Sequence, residues 1–147
     1  MLRMNVSQKG DRVRVSLDRW TARSRNIRGA LSAFGDYRQT RHEEIFDKQC
    51  DPYGKKHAAL KPATLRRKRQ LGYDRRILHA TLKLRGSFDL KVRGRSVDWG
   101  YTQPYAIYHV RGTAKMPKRS PLEDSRGLAP QDARKLKQDL KRWIFDK

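Results

Sequence analysis

Two acids and a lysine, Asp89, Lys91 and Asp98, would converge if the segments that carry them pair as a hairpin. Converging carboxylates beside a lysine are what a metal-dependent nuclease uses to hold a divalent cation and activate water. The triplet is a weak signal, because two acids and a lysine at such spacing arise easily by chance. The four histidines, His42, His57, His79 and His109, are scattered, and none stands in a His-Glu-x-x-His arrangement. The "RHEE" stretch around His42 reads most simply as a solvated helix face. Cys50 is the single cysteine, which excludes an internal disulfide and a cysteine metal cluster and leaves a buried or tolerated thiol. "RGSF" and "RGRS" are single-glycine turns, without the glycine spacing that lets backbone amides surround a phosphate. No catalytic residue, cofactor or metal ligand is assigned, and the chain reads as a non-enzyme.

Binding chemistry is better represented. Between Asp51 and Asp74 the chain carries Lys55, Lys56, Lys61, Arg66, Arg67, Lys68 and Arg69 with no acid among them. Such a run can neutralise phosphates or meet an acidic protein, or it can be a solvated face that serves solubility. Tyr53 and Tyr73 flank it, although not in a stacking pattern typical of single-strand binding. The whole chain leans the same way: 36 Lys and Arg against 15 Asp and Glu leave a formal net charge of +21 over 147 residues. That surplus implies an anionic neighbour, either nucleic acid or acidic protein. No helix-turn-helix, zinc-finger or RNA-recognition signature accompanies it, so sequence-specific readout is not indicated. A second candidate surface is "YAIYHVRGTAKMPKRSPLEDS", where Tyr105, Tyr108 and His109 precede Gly112 and a basic, proline-punctuated stretch through Pro117, Arg119 and Leu122. Ordinary core and boundary packing is the plainer account of those aromatics; an extended arm that docks on a neighbour is the sharper one.

The elements that must position these residues follow from hydrophobic period. Leu2, Met4 and Val6 alternate, as do Val13, Val15 and Leu17 across a "SQKGD" turn, which predicts a β-hairpin. From Ser24 the period lengthens through Ile27, Leu31, Phe34 and Ile45, which predicts a long amphipathic helix with Arg28, Arg38, Arg41 and Glu44 on its polar face, interrupted in character by Gly35. "CDPYGKK" predicts a loop, and Pro62 suits the first turn of a short helix. "DRRILHATLKL" carries a helical pattern. Phe88, Leu90 and Val92 then alternate against Val97, Trp99 and Tyr101 across "RGRS", a second hairpin. "PYAIYHV" suits a helical turn, and "APQDARKLKQDLKRWIF" predicts a C-terminal helix with Ala133, Leu136, Leu140, Trp143 and Ile144 on one stripe. Residues 1 to 147 read as one α+β domain, a small antiparallel sheet packed against a long helix and a C-terminal helix, with extended loops or arms. No run approaches the roughly 20 apolar residues that cross a bilayer, and the start is too polar for a signal peptide, so a cytosolic site of synthesis is expected.

In order along the chain, "DPYGKKHAALKPATLRRKR", "ILHATLKLRGSF" and "VDWGYTQPYAIYHVRGTAKMPKRSPLEDS" resemble the phage virion morphogenesis, or tail-completion, proteins over roughly residues 45 to 145. Pro52, Gly54, Leu60 and Thr64 match a first element of that family, and Leu78, Thr81, Leu84 and Ser87 a second. Gly100, Tyr105, Ala106, His109 and Gly112 match the next two, and Pro117, Arg119 and Leu122 the last before a C-terminal helix. His57 stands where a tryptophan is common, and Leu82 where the second element usually has glycine. The resemblance implies a structural virion protein of a tailed bacteriophage, located in the neck or tail. It would form an oligomeric ring at the head-proximal end of the tail and join the tail tube to the head connector, with six copies by analogy with sixfold tail tubes. Homo-oligomers, tail-tube and head-connector proteins, and DNA in the channel are the partners so implied. A non-specific DNA-binding protein and a small metal-dependent nuclease are the alternatives from other classes.

Overall fold

A computed structural model describes residues 3–18 and 26–145 of the chain. Strand β1 (Arg3–Lys9) turns through Gly10 and Asp11 into β2 (Arg12–Asp18), and the long helix α1 (Arg28–Lys48) follows. Then come α2 (Pro62–Gln70), a single-turn α3 (Lys83–Gly86), the hairpin β3 (Phe88–Arg93) and β4 (Ser96–Tyr101), a short α4 (Ala106–Arg111), and α5 (Pro130–Phe145). The four strands form one antiparallel sheet in the order β1-β2-β4-β3, so the two hairpins meet through β2 and β4. Val13 pairs with Trp99 and Val15 with Val97, while Leu90 sits opposite Trp99 from the other side. This register places every second side chain on one face, which α1 covers. The fold is α+β, as the sequence pattern predicts.

Period-2 alternation located both hairpins, except that Leu2 lies outside the described residues. The Ser24 approach to the long helix also lies outside them, and the helix begins at Arg28. Gly35 in its middle has a packing reason. A Cβ there would stand 3.0 Å from the Leu90 side chain, so its absence lets α1 settle onto β3.

Three expectations are overturned. The stretch 74–84 is not one helix: residues 74–82 run as bends and turns up to the single turn of α3, with Leu78 at φ 63° and Leu82 at φ 59° in the left-handed region. Left-handed residues end the 3.6-residue ladder that the apolar spacing imitates. The polar face assigned to α1 is half wrong, because Arg38 and Arg41 are 1% and 5% exposed and "RHEE" turns both Arg41 and His42 inward. On the stripe of α5, Leu136 and Leu140 are buried but Trp143 is 52% exposed. Its indole occupies the space that a side chain at Gly29 would need, and its N–H donates to the Asn26 carbonyl at 2.8 Å.

Burial of the two arginines is made tolerable by acids from distant segments. Arg38 Nη1 lies 2.9 Å from Glu123 and 2.7 Å from Asp132, and Arg41 Nε lies 3.4 Å from Asp132. Tyr37 donates its hydroxyl to Asp132 at 2.6 Å, and the Trp99 indole N–H donates to Glu123 at 3.1 Å. The Arg38 guanidinium also lies over the Trp99 ring, 4.6 Å from its centroid. One network therefore ties α1, β4, the loop before α5 and the first turn of α5. Removing one member leaves its partner charged and dry, so Asp132→Ala should cost about 3–5 kcal/mol in a denaturant titration. A loss below about 1 kcal/mol would show that the network is not what holds α5. Leu140, 2% exposed, tests the apolar side: Leu140→Asp should yield no soluble folded chain, and a folded monomer would remove it from the core.

Candidate functional site

The basic segment does not fold into one patch. Pro62 starts α2 as its first residue, and successive residues step around the helix by about 100°. Lys68 takes the inward direction. It is 8% exposed, and its ammonium donates to the carbonyls of Asp74 at 2.8 Å and Arg76 at 2.6 Å. Arg66, Arg67 and Arg69 are exposed and fan out around the remaining sides of the helix, with Lys61 exposed just before it. Lys55 and Lys56 belong elsewhere, on the loop after α1. There the Asp51 carboxylate accepts from the amides of Tyr53 and Lys55, and the Lys56 ammonium donates to the Lys48 carbonyl at the end of α1. The sequence run was contiguous, but its charges point in several directions.

The proline-punctuated segment folds back on its own chain. Leu122 is a core residue, 1% exposed, and Tyr105 packs partly against the same core. Gly112, at φ 76°, ends α4 where a Cβ would meet the Lys118 amide at 2.9 Å, so only glycine lets the chain double back there. Arg119 is 7% exposed and donates to the carbonyls of Ala58 and Ala59 at 2.7 and 2.8 Å, which fastens this segment to the stretch before α2. Pro117 is exposed, and Tyr108 faces solvent at 56% exposure.

What the fold does bring together is part of each set. Lys61 and Lys68 from the basic segment, and Tyr105, His109, Pro117 and Arg119 from the other, line a groove of about 360 Å³. Its remaining wall is the 77–84 stretch, including Ile77, Leu78, Leu82 and Leu84. The described lining contains no Asp or Glu. The groove is thus apolar at its floor and cationic at its edge. Burial lowers the pKa of Lys68, opposed by Asp74, and lowers that of Arg119 as well. His109 Nδ1 is buried here without a hydrogen-bond partner, and burial lowers its pKa too.

The nuclease-like triplet sits on the opposite side of the sheet from α1. Lys91 does stand opposite Asp98, but each acid already has a cation. Asp89 lies 3.3 Å from Arg12 and 3.3 Å from Lys91, and Asp98 lies 2.6 Å from Arg14. Among the described residues no group of three His, Cys, Asp or Glu side chains is placed to hold a metal ion. Of the other histidines, His42 stacks on Phe88, and its ring nitrogens meet the Arg85 carbonyl and the Tyr101 hydroxyl. His79 is fully buried against Phe46 and bonds the Ile77 carbonyl. Cys50 is buried. These are structural positions.

The phage virion morphogenesis family model matches residues 8–144, nearly the whole chain. The chain belongs to that family. Comparison with curated proteins and with solved structures gave no match. Membership makes this a virion morphogenesis protein, of a family concerned with structure and assembly. No helix among the described residues is long and apolar enough to cross a membrane. At position 82, where the resemblance implies glycine, the backbone of this virion morphogenesis protein does suit that residue. A φ of 59° is where glycine is comfortable, and this chain carries leucine.

His42 and His57 have pKa values pushed down to about 4, in both cases chiefly by burial. An imidazole held neutral in the fold and free to ionise in the unfolded chain contributes stability that is complete above about pH 6.5 and lost as pH falls toward 4. The unfolding midpoint of this protein should therefore drop between pH 7 and 5. Asp74, held low by Arg76 at about 2, enters only in more acid solution, and Glu123, raised by burial, acts with the opposite sign. Ring titration followed by NMR separates these contributions. A His42 ring that titrates near 6.5 in the folded protein would contradict its burial.

Proposed function

We propose that this chain is a tail-completion protein. It forms a closed ring at the head-proximal end of the tail, caps the tail tube and offers a surface to the head connector, without enzymatic activity. Membership of the virion morphogenesis family over residues 8–144 carries this reading. The charge supports it: a ring of chains that each carry +21 repels itself unless anionic surfaces lie against it. Repeated heterologous contacts that close on themselves give such a ring, and six copies match a sixfold tube. The virion neck or tail is then the place of the mature protein.

Its compensation comes mainly from acidic virion proteins. DNA passes through a tail channel, and a dense basic lining would hold it back. The fanned arrangement of Arg66, Arg67 and Arg69 also lacks the single flat stripe that tracks a phosphate backbone. Native mass measurement of the purified protein should show a closed ring. Particles made without it should consist of full heads and separate tails by electron microscopy. Normal joined particles in its absence would overturn the reading. Replacement of Arg66, Arg67 and Arg69 by Gln, with Lys68 left in place because it holds two carbonyls, separates the partners. Head attachment should fall while the affinity for duplex DNA and its salt dependence stay unchanged. A flattened salt dependence with intact attachment would favour the DNA-binding alternative.

A further inference from the structure

Leu82 combines two unfavourable conditions. Its backbone is left-handed at φ 59°, ψ 0°, a conformation that for a bulky side chain costs on the order of 1–3 kcal/mol. Leu78 shares the left-handed geometry at φ 63° but packs against the core. Leu82 does not share that return: its side chain remains 49% exposed, at the wall of the groove described above. Beside it the groove holds two nearly buried cations, Lys68 and Arg119, whose hydrogen-bond partners are backbone carbonyls and not carboxylates. Lys61 and Lys115 add exposed positive charge at the rim. An apolar wall held in strained geometry, next to cations without a carboxylate in the lining, is complementary to an apolar side chain flanked by an acid.

We infer that the groove between α2, the 77–84 stretch and Lys115–Arg119 is the docking site for an acidic, apolar segment of another virion protein, with Leu82 as its anchor. The inference rests on the tail-completion reading and specifies where that assembly is read out. A second copy of this chain is a poor occupant, since its surplus charge has the same sign as the rim. Duplex DNA is also a poor occupant, because its phosphates gain nothing from a leucine wall. A volume of about 360 Å³ suits two or three side chains of a short segment and not a whole domain face.

The test separates docking from folding through the strain itself. Leu82→Asn places at a left-handed position a residue that tolerates it. The thermal midpoint should stay the same or rise and the ring mass should be unchanged, while joined particles fall at least about tenfold. A benzophenone amino acid at position 82, irradiated in assembled particles, should crosslink to a carboxylate-bearing segment of a different virion protein, and Lys61→Glu with Lys115→Glu should abolish that crosslink. A lowered midpoint in Leu82→Asn would assign the leucine to folding and overturn the proposal. So would normal joining by that variant, or crosslinks to a second copy, to DNA or to nothing. Joined particles when the whole protein is withheld would instead remove the tail-completion reading beneath it.

Discussion

Arg38 is the residue on which the rest of the arrangement depends. Its guanidinium sits inside the protein at 1% exposure, between the indole of Trp99 and the carboxylates of Glu123 and Asp132. An unpaired charge there would cost several kcal/mol, so the fold is strongly favoured when both acids arrive. Glu123 comes from the end of the proline-punctuated segment, and Asp132 from the first turn of α5, where a negative charge also suits the helix dipole. The network therefore fixes where the return path of the chain must run. Arg119, four residues before Glu123, is positioned by the same constraint and in turn reaches Ala58 and Ala59. A buried ion network in the core thus determines the geometry of a groove on the surface.

The same network bears on the surface charge. Arg38 and Arg41 are matched by Glu123 and Asp132, and Asp89, Asp98 and Asp124 each lie beside two cations. Acids spent on holding the fold together are not available to offset the outer lysines and arginines. The excess of base over acid is consequently a property of the exterior, carried on α2, on the loop after α1 and on the outer face of α5. Solubility alone asks for far less charge than this, and an exterior of one sign is suited to anionic surfaces at close quarters.

Both hairpins and the C-terminal helix were legible because their signals are local. Val13, Val15 and Leu17 alternate with arginine and serine, and no tertiary information is needed to see which face is buried. Arg38 and Arg41 were not legible, since a binary reading of helix pattern treats every arginine as solvated, and the acids that pair with Arg38 lie 85 and more residues away. The 74–84 stretch misled for the opposite reason. Ile77, Leu78, Thr81 and Leu82 have helical spacing, but Leu78 and Leu82 enter left-handed geometry that propensity assigns to glycine or asparagine. The one available hint was the family pattern, with glycine where this chain has Leu82. The basic run was legible as composition and not as shape, because nothing in "LRRKRQ" reveals that Lys68 turns inward onto the Asp74 and Arg76 carbonyls.

Two of these misreadings, the 74–84 stretch and the basic run, meet in one region, and there is a physical reason for that. Sequence rules succeed where local preference and global fold agree, and they fail where surrounding structure forces a residue against its preference. In this chain the sheet, α1 and α5 are locally consistent and form the rigid part, apart from the buried arginines that lock them. The walls of the groove are where consistency breaks: a lysine faces inward, a histidine nitrogen lacks a partner, and an exposed leucine takes a backbone conformation it disfavours. All of them meet around one cavity of about 360 Å³, where a partner that buries the leucine and pairs the cations would relieve them together.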